Sequence, residues 1–134
     1  MYNDQTQLKP KKVFSRKDLN MQGLTGVVRK SFENITPMRD LVTKSTSIPI
    51  VDCAMSALAM FGIKAPSLLE FDEGRRDEAI VHNLQTLYGV KNVPCDTTMR
   101  ERLDEVDPRE LRPAHKKLFT CLQETKLLRE FEYL

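Results

Sequence analysis

At 134 residues, with 40% apolar and 30% charged side chains, the chain has the size and make-up of one globular domain, which excludes a disordered protein and leaves little room for a second core. A formal net charge of +2 sets up no global field for a polyanion, and three scattered cysteines with two histidines exclude a disulfide framework or a zinc cluster. The longest apolar run, residues 48–63, is broken by Pro49, Asp52 and Ser56 and falls short of the roughly 20 residues of a membrane span, so no membrane partner is expected. Free thiols and a polar, basic N-terminus without an apolar leader point to the cytoplasm.

Residues 1–18 read as a flexible basic arm, with Lys9, Lys11, Lys12, Arg16 and Lys17 against only Asp4 and Asp18. The rest of the chain, residues 19–134, reads as one helical unit. Over residues 19–34, Leu24, Val27, Val28 and Phe32 recur on one helical stripe, while Gly23 and Gly26 weaken the helix but permit close packing. Thr36-Pro37 reads as a cap and first helical position for a short segment through Val42. Ser47 is placed to cap the next helix, with Pro49 near its first turn and Gly62 at its end. That helix is apolar almost all round (Ile50, Val51, Ala54, Met55, Leu58, Ala59, Met60, Phe61), as a central helix should be. Its one carboxylate, Asp52, is expected near the helix start, where the dipole favours it, or paired with an arginine.

Pro66 opens a short helix that turns Leu68, Leu69 and Phe71 inward. After Gly74, residues 76–88 form an amphipathic helix with the stripe Ile80, Leu84 and Leu87, stopped by Gly89; His82 lies off that stripe and is expected at the surface. The connection through Pro94 leads to a helix over residues 96–106, capped by Asp96, with Met99, Leu103 and Val106 inward. Asp107 caps the next helix, Pro108 takes its first position, Glu110 completes a capping box, and Pro113 kinks or restarts it. Leu111, Ala114, Leu118 and Leu122 give that helix its stripe, with Phe119 beside it, and residues 126–133 are a last apolar and charged segment. The class is therefore all-α, an irregular multi-helix domain.

No phosphate loop, dinucleotide fingerprint, nucleophile elbow or metalloprotease helix occurs, and Cys95, although placed before a helix, has no general base near it in sequence. No catalytic or metal-binding residue is expected. The pattern with most chemical content is the pair of helices 76–88 and 96–106. In a helix-turn-helix the second helix enters the major groove and its first residues reach base edges. Thr97, Thr98, Arg100 and Arg102 are the side chains for that role, since arginine grips guanine through two hydrogen bonds and threonine meets a thymine methyl. Lys11, Lys12, Arg16, Lys17, Lys116 and Lys117 are the candidates for phosphates. Glu101, Asp104 and Glu105 sit on the same short helix and fit a solvated face instead, and the connection is longer than the usual three-or-four-residue turn.

The order of segments over residues 47–134 resembles the N-terminal region of bacterial insertion-sequence transposases of the DDE type. Ser47-Ile48-Pro49-Ile50-Val51-Asp52-Cys53-Ala54-Met55-Ser56-Ala57-Leu58-Ala59-Met60-Phe61 carries the likeness, as do Pro66-Ser67-Leu68-Leu69, Asn83-Leu84-Gln85-Thr86-Leu87-Tyr88-Gly89-Val90, Pro94-Cys95-Asp96-Thr97-Thr98-Met99-Arg100-Glu101-Arg102-Leu103-Asp104 and Leu111-Arg112-Pro113. The resemblance implies a helical region that precedes an RNase-H-like catalytic domain, and none of that domain's three metal-binding acids is placed on this sequence. It thus implies a truncated transposase: a non-enzymatic, DNA-binding region that recognises the inverted repeats of a mobile element in DNA transposition. No cofactor is expected in this region, magnesium belonging to the missing domain, and the location implied is the bacterial cytoplasm at the nucleoid. The alternatives are a helical interaction fragment that pairs with itself or with full-length transposase, prompted by Leu127, Leu128, Phe131 and Leu134, or an inactive gene remnant.

Overall fold

A computed structural model describes residues 13–35 and 48–132, and all regular structure within them is helical. The helices are α1 (Met21–Phe32), α2 (Ile50–Gly62), α3 (Leu68–Gly74), α4 (Glu78–Tyr88), α5 (Asp96–Asp104) and α6 (Arg112–Glu124), with 3-10 turns at Arg16–Asp18, Pro108–Leu111 and Leu127–Phe131. The expected segment at residues 36–42, the cap at Ser47, and Tyr133 and Leu134 lie outside the described residues.

Local chemistry sets most boundaries. The Asn20 side chain accepts the Gly23 N–H to start α1, Ser67 accepts from Glu70 to start α3, and Asp77 accepts from Ala79 to start α4. Pro66 therefore lies ahead of its helix, not in the first turn, and Pro49 itself stands at the cap position of α2. Gly89 ends α4 in the left-handed region at φ 64°, which a Cβ would disfavour. Asp107 accepts the Arg109 N–H and caps a 3-10 turn; α6 then begins afresh at Arg112 with Pro113 in its first turn, where a missing N–H costs nothing.

α2 is the hub. It packs on α5, α1 and α4, while α1 also lies along α6 and α4, and α3 rests on α5. Val28, Phe32, Cys53, Met55, Ala59, Phe71, Leu84, Tyr88, Val90, Met99 and Ala114 share one core. Two close approaches locate neighbouring chain: a Cβ on Gly23 would strike the Asp18 carbonyl, and one on Gly62 would strike the Tyr88 hydroxyl. Gly26, by contrast, faces open space, so only one of the two α1 glycines serves packing. Tyr88 takes the buried place expected of Leu87, which sits at the rim. The last turn of α2 runs out into solvent, leaving Phe61 84% exposed, and Leu69 is exposed as well, against the expectation of core positions.

The described end of the basic arm is folded. Ser15 and Asp18 cap each other across the first 3-10 turn, and Arg16 reaches the far end of the chain, its Nε donating to the Thr125 carbonyl at 3.0 Å and its guanidinium to Glu130 at 3.1 Å. Arg16 is thus tied to the body of the domain through Nε and one Nη, while its side chain stays 61% exposed. Among the described residues no helix is long and apolar enough to cross a membrane, and no group of histidine, cysteine and acid side chains is arranged to hold a metal ion.

Candidate nucleic-acid interface

The connection between α4 and α5 is set by a buried carboxylate. Asp52, 1% exposed, accepts the backbone N–H groups of Lys91 at 3.3 Å and Asn92 at 3.1 Å, and pairs with Arg29 at 3.4 Å. Arg29 also donates to the Gly89 carbonyl, so α1, α2 and the chain leaving α4 are tied at one point. Both expectations for Asp52 hold together: it stands in the first turn of its helix and has an arginine partner. Removing Arg29 would leave the buried Asp52 with its two backbone donors but without its counter-charge.

This anchor delivers α5 onto α2 and α3, and α4 is not among its principal neighbours. The start of α5 also differs from expectation. Cys95 is the cap residue, its sulfur accepting the Thr98 N–H at 3.5 Å and standing 3.1 Å from the Thr98 hydroxyl. Those contacts, hydroxyl first, hold the Cys95 thiol below its ordinary pKa. Asp96 is the first helical residue, and its Oδ1 accepts the Thr97 N–H at 2.7 Å and the Thr97 hydroxyl at 3.2 Å. Both threonine hydroxyls are therefore engaged in the helix start.

Arg102 is the largest departure. It is 3% exposed and lies against the thiol of Cys53, whose pKa is pushed up to about 11 by burial although the guanidinium opposes the shift. Its position makes it a core residue and removes it from any set of base contacts. The sequence held the signal: positions 99, 102, 103 and 106 follow the i, i+3, i+4, i+7 rhythm of one helical face, so Arg102 falls on the stripe with Met99 and Leu103. Of the four residues expected to read bases, Arg100 and Thr97 are exposed, Thr98 is half-buried and Arg102 is buried. Arg100 shares its surface with exposed Glu101 and Asp104.

The phosphate candidates divide in the same way. Lys11 and Lys12 lie outside the described residues, Arg16 is directed to Thr125 and Glu130, and Lys17, Lys116 and Lys117 are exposed. Lys116 belongs to a larger set that sequence reading did not assemble. On α6, Arg112, His115, Lys116, Phe119 and Gln123 stand at i, i+3, i+4, i+7 and i+11, one stripe along the helix, and all five are exposed. Ala114 and Cys121 are buried on the opposite side. The only acid in α6, Glu124, follows Lys117 by seven residues and so stands on the flank. The stripe carries two cations, Arg112 and Lys116, and no acid. His115 Nδ1 lies 3.2 Å from the Leu111 carbonyl oxygen, which orients the ring along the helix.

Two depressions adjoin these elements. One, of about 510 Å³, is lined by Ile48, Pro49, Arg75, Val81, Lys91, Asn92 and Val93, and its Arg75 is held by Asp72 at 2.7 Å. The other lies between α1 and α4 beside Thr25 and Arg29. Neither gathers groups suited to acid–base or nucleophilic chemistry. No protein family, curated protein or solved structure matches the chain.

Proposed function

We propose that this helical domain binds double-stranded DNA, as the end-recognising region of an insertion-sequence transposase whose catalytic domain lies elsewhere. The observation that carries the reading is the exposed stripe of α6, where Arg112 and Lys116 stand one turn apart with no carboxylate between them. Phosphates spaced along a duplex are the natural counter-charge for such a row, and release of their condensed cations supplies affinity. The resemblance over residues 47–134 supplies the biological setting. Lys117 and Lys17 add exposed charge, and Thr97 with Arg100 remains a secondary candidate contact at the start of α5.

The test is an electrophoretic shift series with the inverted repeats that flank the coding frame and with scrambled duplexes of equal length. The reading expects tighter binding to the repeats and weaker binding as salt rises. Equal affinity for both duplexes removes end recognition, and no shift with either removes the DNA reading itself. A second reading, pairing with another copy or with full-length transposase, is favoured by the exposed Phe61, Leu69 and Phe131. A strictly monomeric chain by light scattering, with no affinity for the full-length enzyme, would discard it.

A further inference from the structure

Phe119 is 52% exposed in the middle of the cationic stripe of α6, with His115 and Lys116 one turn before it, Arg112 two turns before it and Gln123 one turn after it. A large aromatic side chain left in water is worth explaining only where its surroundings differ from an ordinary surface. Phe61, Leu69 and Phe131 differ in this respect: Phe61 lies at the apolar end of α2 next to Gly62 and Ile63, Leu69 has Asp72 and Glu73 at i+3 and i+4, and Phe131 sits between Glu130 and Glu132. Phe119 alone among these has basic groups on its own helical stripe and no acid there.

We propose that Phe119 is a base-stacking residue and that the α6 stripe takes DNA in which a nucleotide is unpaired or unstacked. This rests on the DNA-binding reading above and narrows its substrate. Two kinds of group meet two parts of one ligand. Arg112 and Lys116 stand where a phosphate backbone would run along the helix, and Phe119 offers a ring to the face of a base beside that backbone. Stacking on an aromatic side chain tolerates any base, because every base has a π-face. In an intact duplex the faces are covered by neighbouring base pairs, so the ring gains a partner only where the stack is opened. Phe119 has no role in the core, which α6 reaches through Ala114 and Cys121 on the other side, and so its substitution leaves the fold intact.

The chain contains no tryptophan, so a Phe119→Trp variant carries a single indole reporter at the site. The full chain is titrated with a mixed-sequence duplex, the same duplex with a central run of mismatched bases, and one strand alone. The expected result is quenching of the indole by the mismatched duplex and the single strand, with much weaker quenching by the intact duplex. By fluorescence anisotropy with unmodified indole-free protein, Phe119→Ala lowers affinity for the mismatched duplex about tenfold and for the intact duplex less than about twofold, while Phe119→Tyr retains the wild-type preference. Unchanged indole emission with every DNA, while Arg112→Ala with Lys116→Ala still weakens binding, overturns the stacking role and leaves DNA binding in place. Absence of binding by the wild-type chain to all three probes overturns both.

Discussion

α5 and α6 are neighbours in sequence, and each carries arginine, lysine or threonine at positions that look ready for DNA, yet the fold uses them oppositely. In α5 the polar chemistry is turned to the protein: Thr97 and Thr98 secure the helix start, and Arg102 is buried against Cys53. In α6 it is turned to solvent, where Arg112, His115, Lys116, Phe119 and Gln123 share one open stripe. Residue type alone does not tell a buried arginine from an exposed one. The register of the residue against its own apolar stripe does, because Arg102 keeps the spacing of Met99 and Leu103, whereas Arg112 keeps the spacing of Lys116 and Phe119.

The largest expected difference between the helices is in stability. Arg102→Ala removes a buried guanidinium and its packing and should cost about 3 kcal/mol, whereas Arg112→Ala or Lys116→Ala should stay within about 0.5 kcal/mol. Urea denaturation followed by circular dichroism measures both, and near-equal losses would erase the contrast. A slightly smaller effect is expected in alkaline solution. Burial pushes the Cys53 thiol up from its ordinary 9.0 to about 11 in the folded chain, so the unfolded chain loses this proton first. Its contribution is complete below pH 9 and is lost as pH rises from 9 to 11, about 2–3 kcal/mol in all. Comparison of unfolding curves for wild type and Cys53→Ala over that range isolates it from the lysines and tyrosines, and parallel curves would contradict the buried thiol beside Arg102.

Smaller again is the capping contribution. Cys95→Ala removes the acceptor for the Thr98 N–H and should cost up to about 1 kcal/mol, while Thr120→Ala on α6, whose hydroxyl only returns to the Lys116 carbonyl, should be close to neutral. The thiols report the same geometry without mutation. Cys95 should be alkylated first in the native chain, since it is partly exposed and its pKa is lowered by Thr98, with Cys53 and Cys121 protected by burial. Simultaneous labelling of all three by mass spectrometry would speak against the buried positions.

Much of the fold is legible in the sequence. Asp107, Pro113 and Gly89 punctuate helices because a cap, a missing N–H and a left-handed φ act locally, and Asp52 announced a partner because a carboxylate in an apolar helix needs one. What failed depended on tertiary placement. Phe61 and Leu69 look like core by composition, but the end of α2 and the outer side of α3 have no helix above them among the described residues. Asp96 is the stronger acceptor and the expected cap, yet the helix begins one residue earlier and the weaker acceptor Cys95 takes the cap position. At the candidate interface, the spacing that joins Arg112 to Lys116 and Phe119 is present in the sequence, but which elements pack on α6, and so that Phe119 stays exposed beside these charges, is set by the tertiary fold.

The most direct test of the contrast is the salt dependence of DNA binding. Fluorescence anisotropy of a labelled duplex, titrated over a series of potassium chloride concentrations, gives the slope of log affinity against log salt for wild type, Arg100→Ala, and Arg112→Ala with Lys116→Ala. If α6 holds the phosphates, the double substitution lowers the slope by about two and Arg100→Ala leaves it nearly unchanged. A slope that falls with Arg100→Ala and stays at the wild-type value in the α6 variant would place the DNA on α5 and contradict the division between the two helices.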